Sequence, residues 1–364
     1  MVDGDSVKVE ILSNEDVTGL ESVLRPSREG FIPWFQHPYN TDGAVPNAHL
    51  RPHHYGIAFH TASRTVVAQI EGRIFAIKMP TDHPFGPNQV SQPAKVRMDA
   101  DLKYSVARSQ AIAQIDGKLG DDGAFRAQKE LAAVIDKKSG SGYLFRDLSY
   151  FKEGFFYLPA HLIPTIGKEL AGKKGKSTIE FWKKYWAEKI GRIQAKIFYR
   201  YGMEVRAVNP QNFVIELDGN MTPTGTIIWR DLAESHLVEP IASRIGLGGF
   251  VRRDHENGGW GVHQKTDIES ESISYQFDES NRDFTSETPD AWVTEHDQGF
   301  RKEIESAIGI RIPPEVPINE YLNDQIKMRD DSDLIKAIIQ WHDRHGIRNH
   351  SFMFQPNRNL PMAA

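Results

Sequence analysis

Residues 177–202 read STIEFWKKYWAEKIGRIQAKIFYRYG, and residues 203–231 continue MEVRAVNPQNFVIELDGNMTPTGTIIWRD. The first stretch reads as a long helix. Ser177 and Glu180 have capping-box spacing. Phe181, Trp182, Tyr185, Trp186, Ile190, Ile193, Ile197 and Tyr201 follow a roughly helical period, and Gly202 suits the position just past a helix end. The aromatic stripe reads as core packing rather than as a cofactor box. The second stretch reads as a short loop, Pro210-Gln211-Asn212, followed by a hairpin. Its strands run from Asn212 to Leu217 and from Thr226 to Trp229, around the turn Asp218-Gly219-Asn220, and the second strand delivers Arg230-Asp231. Hairpins alongside long helices place the chain in the α+β class.

Working outward, Thr65 to Lys78 gives a second hairpin. Val66, Val67, Ala68 and Ile70 precede Glu71-Gly72, and Ile74, Phe75, Ala76 and Ile77 follow it, with Lys78 at the strand end and Pro80 as the stop. Asp101 to Leu119 and Ala124 to Ile135 read as helical by apolar spacing, and Tyr143 to Leu148 as a strand. Pro159 to Leu170 reads as a helix opened by its proline. The first sixty residues, with Pro33, Trp34, His37, Pro38, Tyr39, Pro52, His53 and His54, read as irregular structure packed on a core. Arg252 to Thr285 is polar and rich in Gly, Glu and Ser, and reads as a long loop or lid. Helices around Phe300 to Ile308 and Asp333 to His345 close the chain, and the tail after Gln355 is expected to fray. Three segments result: 1–58 irregular, 59–150 a β-rich nucleotide-binding lobe, and 151–364 a helical palm lobe.

The chain has 364 residues, 39% hydrophobic and 26% charged, which suits a soluble globular protein with a sizeable core. A net charge of -5 supplies no overall basic field, so a general nucleic-acid binder is not expected. No apolar run is long enough to span a bilayer, and Met1 to Glu10 is acidic and polar, unlike a signal peptide. With no cysteine, disulfides, thiolate metal sites and cysteine nucleophiles are all excluded. The expected setting is cytoplasmic.

Three groups stand out chemically. A lysine ending a strand of a nucleotide-binding lobe, as Lys78 does, can reach the α and β phosphates; the bland reading is a solvated strand-end lysine. Asn212 and Asp231, delivered on adjacent strands, offer an amide oxygen and a carboxylate to a hard cation such as Mg²⁺. The bland reading of that pair is a buried asparagine capping a turn and an Arg-Asp surface pair.

The stretch from Tyr201 to Asn212 resembles the catalytic region of the NRPS-independent siderophore synthetases, the aerobactin-synthetase-like family. There a helix ends in Tyr-Gly, a His-x-Gln-Asn motif follows, and the next strand ends in Arg-Asp, like Trp229-Arg230-Asp231 here. Ala62-Ser63-Arg64-Thr65 is similar to the family's Ser-x-Arg-Thr region. Phe145-Arg146-Asp147 is similar to its hinge strand, and Leu158-Pro159-Ala160-His161-Leu162 to the helix start that follows. The likeness covers about Phe59 to Glu234. It implies a hand-like architecture with a kinase-like palm, an antiparallel sheet lobe, a helical lobe and a shortened N-terminus. It also implies an ATP- and Mg²⁺-dependent ligase that activates a small-molecule carboxylic acid as an acyl-adenylate for attack by an amine or hydroxyl acceptor, and it leaves a homodimer open.

Carried over residue by residue, Lys78 and Arg64 would contact phosphates, and Ser63 and Thr65 would line the phosphate loop. Asn209, Gln211, Asn212 and Arg230 would lie at the nucleotide, and Asn212 and Asp231 would hold Mg²⁺. Lys78, Arg64 and Asp231 form the catalytic set. The family histidine of His-x-Gln-Asn is Asn209 here, which removes any proton-carrying role at that position. Lys95 and Arg97 are the candidates for a second phosphate-contacting cation. Two alternatives stand beside the ligase. One is a kinase-like phosphotransferase, for which Glu204 is the one carboxylate available between Glu204 and Gln211. The other is a non-catalytic nucleotide-binding module. Among the 14 histidines, His342 and His345 can share a helix face, but without a third ligand a zinc site is not expected.

Overall fold

In the computed structural model, residues 2–3, 9–13, 19–24, 31–32, 35, 58–62, 65–79, 99–136, 142–205, 208–232, 235–247, 262–263, 268, 270–274, 277 and 288–347 are described. The chain divides into two compact units, one of residues 1–110, 128–151 and 353–364, the other of residues 111–127 and 152–352. Helices and mainly antiparallel sheets make the protein α+β.

The first unit holds a six-stranded antiparallel sheet in the order Val9–Ser13, Glu130–Asp136, Gly142–Asp147, Arg73–Lys78, Thr65–Ile70, Ala58–Ala62. The Thr65–Lys78 hairpin forms as its sequence predicts. Glu71 and Gly72 both take positive φ, at 49° and 82°, which matches the right-handed twist of the strands they join. Alternate residues divide between two apolar clusters. Val134, Tyr143 and Phe145 pack with Phe75 and Ile77, with the Phe75 and Phe145 rings edge-on at 6.1 Å. Ala133, Ile135 and Leu144 point to the other face, where Leu102 and Val106 of the helix Asp99–Leu119 cover them.

That two-sided burial corrects one expectation. Ala124 to Ile135 is not a helix but two strands, Phe125–Ala127 and Glu130–Asp136. Every residue of Glu130–Asp136 is buried, so the period-2 alternation of a half-exposed strand is absent, and a short apolar run is ambiguous between helix and strand. Of its two charged residues, Glu130 is met by Arg146 at 2.9 Å, both inside the sheet. Upstream, Val9–Ser13 is a regular strand within the segment read as irregular. Residues 33–54, which prompted that reading, lie outside the described residues apart from Phe35.

The second unit is built on a four-stranded sheet in the order Phe156–Pro159, Phe213–Leu217, Pro223–Trp229, Phe125–Ala127, the last pair parallel. The 177–202 helix forms as expected. Ser177 accepts the Glu180 N–H at 3.2 Å, and Gly202 closes the helix at φ 59°. Its middle turn, Lys183–Ala187, widens to a π-helix. The aromatic stripe is core: Trp182 and Trp186 are fully buried, and their indole N–H groups donate to the carbonyls of Gly167 and Ile273. The segment Glu188–Tyr201 packs tightly on Asp290–Ile308.

Pro159 does not open a helix. It ends the strand Phe156–Pro159 and caps a 3-10 turn, Ala160–Leu162, which runs on through a π turn into Lys168–Lys173. The closing helices are Asp290–Ile308 and Asp333–Arg344, with Ile318–Met328, unread from the sequence, between them. Most of 252–285 and the tail after Gln355 lie outside the described residues. Within 252–285, Val262–His263 forms a short strand and Ser270–Ser272 a 3-10 turn.

Candidate functional site

The residues singled out by sequence fall in two groups, one in each unit. In the first unit, Thr65 and Lys78 face each other across the hairpin as paired residues, and Lys78 also pairs with Leu144. Lys78 is only 9% exposed, so it is not a solvated strand-end lysine. Ser63, Arg64, Lys95 and Arg97 lie outside the described residues.

In the second unit, Asn209, Gln211, Asn212, Arg230 and Asp231 come together at one end of the hairpin. The local cause is readable in the chain. Proline at 210 disfavours a helical conformation at Asn209, which sits at φ -82° and ψ 105°. Its side-chain oxygen then accepts the Gln211 N–H at 3.3 Å, capping the 3-10 turn Pro210–Asn212. The Asn212 N–H closes the turn on the Asn209 carbonyl at 2.8 Å. Register does the rest. Phe213 pairs with Trp229, so Asn212 and Arg230 are next in line, and the Arg230 N–H donates to the Asn212 carbonyl at 2.8 Å. The Arg230 guanidinium folds back onto the turn, its Nε donating to the Gln211 carbonyl at 2.7 Å and its Nη2 to the same oxygen. Asn212 is 6% exposed, Gln211 is exposed, and Asp231 is half-buried.

Asp231 leaves the strand at φ 64°, a left-handed conformation in which aspartate is tolerated better than most residues. Glu204 lies in the short strand Met203–Glu204, paired with His236–Val238, and is 1% exposed.

One residue near this turn carried no sequence signal of its own. His161 sits in the 3-10 turn Ala160–Leu162, which lies against the turn Pro210–Asn212. Its Nδ1 is buried with no hydrogen-bond partner. Burial, and then the nearby Arg230 charge, hold its pKa below the usual histidine value, so the ring is neutral at neutral pH. The other described histidines with resolved ring bonds are tied into the structure. His296 is bonded to Asp297 and Gln194, His345 bonds the Trp341 carbonyl, and His342 donates to the Tyr199 carbonyl at 2.7 Å, although its Nδ1, like that of His161, is buried without a partner. Burial pushes His342 down to about 4.

The donor chemistry fits a hard divalent cation. Asn212 and Asp231 could offer an amide oxygen and a carboxylate, and Mg²⁺ characteristically takes few protein ligands and completes its shell with phosphate oxygens and water. Among the described residues no cluster of three or more His, Cys, Asp or Glu is placed to cage a metal without such help. Among them, too, no helix is long and apolar enough to cross a membrane.

No family model matches the sequence, and a search of curated proteins finds no match. Among solved structures, the petrobactin biosynthesis protein AsbB from Bacillus anthracis str. Sterne is similar at 14% identity and TM-score 0.45, over 73% of this chain and 54% of that one. Aerobactin synthetase IucC from Klebsiella pneumoniae is similar at 13% identity and TM-score 0.39, over 80% of this chain and 47% of that one. The proinflammatory kinase CtkA of Helicobacter pylori is similar at 10% identity and TM-score 0.32, over 79% of this chain and 94% of that one. The chain thus spans about half the length of the two biosynthetic proteins. Superpositions this loose assign no residue of this chain a role and no activity to the chain.

Proposed function

We propose that this protein is an ATP- and Mg²⁺-dependent ligase of the siderophore-synthetase type, which activates a polar carboxylic acid as its acyl-adenylate and passes the acyl group to an amine or hydroxyl. The observation that carries the reading is the convergence of Asn212 and Asp231 at one end of the hairpin, locked by the Arg230–Asn212 and Arg230–Gln211 bonds. Lys78 stands in the other unit as an enclosed lysine at a strand end, the place from which the reading has it meet a phosphate.

The chain's own residues would act by binding and charge stabilisation. Mg²⁺, when bound, neutralises phosphate charge. Asn212 and Asp231 would hold it, and Lys78 and Arg64 would contact the phosphates. Adenylation builds negative charge at the α-phosphate, and cations fixed in advance stabilise it without reorganising. No protein nucleophile is required, since the acid's own carboxylate attacks the α-phosphate and pyrophosphate leaves.

A phosphotransferase would place a carboxylate base ahead of Asn212. Glu204, the one carboxylate in the stretch from Glu204 to Gln211, is enclosed in a strand, which disfavours that reading. The non-catalytic alternative has one observation in its favour: the Asn209 side chain is engaged in capping its own turn. Product analysis separates all three. The protein is incubated with MgATP and pooled polar acids and amines, with Asp231→Ala as control. AMP and pyrophosphate that vanish in the variant are expected. ADP would refute adenylation in favour of phosphoryl transfer, and no turnover together with MgATP binding would leave the binding module.

A further inference from the structure

A buried ring nitrogen without a hydrogen-bond partner is a standing cost to the fold, and such groups call for an explanation. His161 carries one in Nδ1. Its other nitrogen, Nε2, has no hydrogen-bond partner among the described residues and is not among the buried unsatisfied atoms, so it faces accessible space. The strand Phe156–Pro159 fixes where the ring lies. It pairs with Phe213–Leu217, Pro159 opposite Val214, and so brings Ala160–Leu162 against Pro210–Asn212, on the side from which the Arg230 charge is felt. A neutral imidazole with one free nitrogen and a guanidinium close by form a mixed donor set suited to an oxyanion.

We propose that His161 is a ligand-contacting residue of this turn, its Nε2–H donating to an oxygen of a bound oxyanion, either a phosphate of the nucleotide or a carboxylate of the acid substrate. The inference rests on reading the Asn209–Asp231 turn as a ligand site, but not on adenylation. It accounts for the orphaned Nδ1: the tautomer that keeps the proton on Nε2 for the ligand leaves Nδ1 as an inward-facing acceptor.

The test uses the full chain and two variants. Glutamine can place an amide N–H near the position of Nε2, whereas leucine removes the donor and also removes the unpartnered buried nitrogen. Binding of MgATP, inorganic pyrophosphate and citrate is measured by calorimetry for wild type, His161→Gln and His161→Leu, alongside thermal unfolding without ligand. The expected result is that His161→Leu unfolds at or above the wild-type midpoint. It should bind pyrophosphate or citrate about ten- to a hundredfold more weakly, the loss expected for one hydrogen bond to a charged group, with most of that loss recovered in His161→Gln.

Histidine dependence confined to pyrophosphate assigns the contact to a phosphate; dependence confined to citrate assigns it to a carboxylate. Unchanged binding in His161→Leu overturns the proposal and leaves the nucleotide reading intact. Equal losses in both variants, or a lowered midpoint in both, make His161 structural and also overturn it. Wild type that ignores MgATP refutes the nucleotide reading, while the pyrophosphate and citrate arms still decide the role of His161. Wild type that binds none of the three refutes both.

Discussion

Replacing Gly191 by alanine should loosen the contact between the helices Glu188–Tyr201 and Asp290–Ile308. A Cβ at 191 would stand 2.1 Å from the His296 carbonyl oxygen and 2.8 Å from its carbon. Both atoms are backbone, so no rotamer change can relieve the clash; one helix must shift away from the other. The crossing is reciprocal, because a Cβ on Gly299 would stand 2.3 Å from the Glu188 carbonyl. The shift also strains a buried network at the same spot, in which His296 bonds Gln194 and Gln194 donates to the Val205 carbonyl at 2.8 Å.

Overpacking of this kind costs about 1–3 kcal/mol. Weakening one internal hydrogen bond adds about 1 kcal/mol, and the better helix propensity of alanine returns about the same amount. The net expectation is a loss of about 1–3 kcal/mol, read as a lower urea midpoint at unchanged slope. Gly117→Ala is the control. It lies in the helix Asp99–Leu119 with nothing within 4 Å of the new Cβ, so it should stabilise by up to about 1 kcal/mol. Gly191→Ala combined with Gly299→Ala should cost less than the sum, since the first substitution already separates the helices. If Gly191→Ala matched Gly117→Ala in sign, the close approach of these two helices would be disproved.

Three further outcomes follow from charge and backbone. Burial, opposed by the Tyr201 hydroxyl that donates at 2.6 Å, pushes Asp116 up to about 6 from 3.8. A raised folded-state pKa adds stability that is full below the unfolded value and gone once pH passes the folded one. Wild type should therefore lose about 3 kcal/mol more than Asp116→Asn between about pH 4 and 6, read from urea midpoints across pH. Asp231→Gly should be as stable as wild type or more so by about 1 kcal/mol, because glycine takes φ 64° freely, whereas Asp231→Ala should be less stable than either; a thermal shift on adding MgATP should be absent from both. Arg146→Ala strands Glu130, which is fully buried, and should cost about 3–5 kcal/mol in denaturant unfolding.

What the sequence made legible was local. The Thr65–Lys78 hairpin announces itself through Glu71-Gly72, and the 177–202 helix through Ser177, its apolar period and Gly202. The pairing of Asn212 with the neighbourhood of Asp231 follows from hairpin register alone, since two strands joined by a short turn have little freedom in alignment. Illegible parts depend on burial or on distant pairing. Glu130–Asp136 lost its strand period because the helix Asp99–Leu119 covers the second face of the sheet. The helix Ile318–Met328 buries only Ile318, Leu322 and Ile326, too thin a stripe to stand out among polar neighbours. His161 reaches the candidate site through the pairing of Phe156–Pro159 with Phe213–Leu217, some fifty residues on in the chain, and no local pattern encodes that.

The costs of this fold are not spread evenly. Four described non-glycine residues have positive φ. Glu71 and Met221 turn hairpins and Arg329 follows the end of Ile318–Met328, so in those three the left-handed conformation serves chain reversal. Asp231 follows directly on the strand Pro223–Trp229 and Arg230, and its left-handed conformation falls one residue past the Arg230–Asn212 bond. The orphaned Nδ1 of His161 lies in the turn packed against Pro210–Asn212. Elsewhere in the same unit His342 Nδ1 and Asn319 Oδ1 also lack a partner, while other buried polar groups are served. Glu216 takes Lys152 and Thr224, and the indoles of Trp182, Trp186 and Trp292 each find a carbonyl. Backbone strain at Asp231 and an unmet ring nitrogen on His161 fall beside one turn, and strain of this kind clusters at functional sites. A ligand that bonds His161 Nε2 and uses the Asp231 carboxylate would account for both costs together.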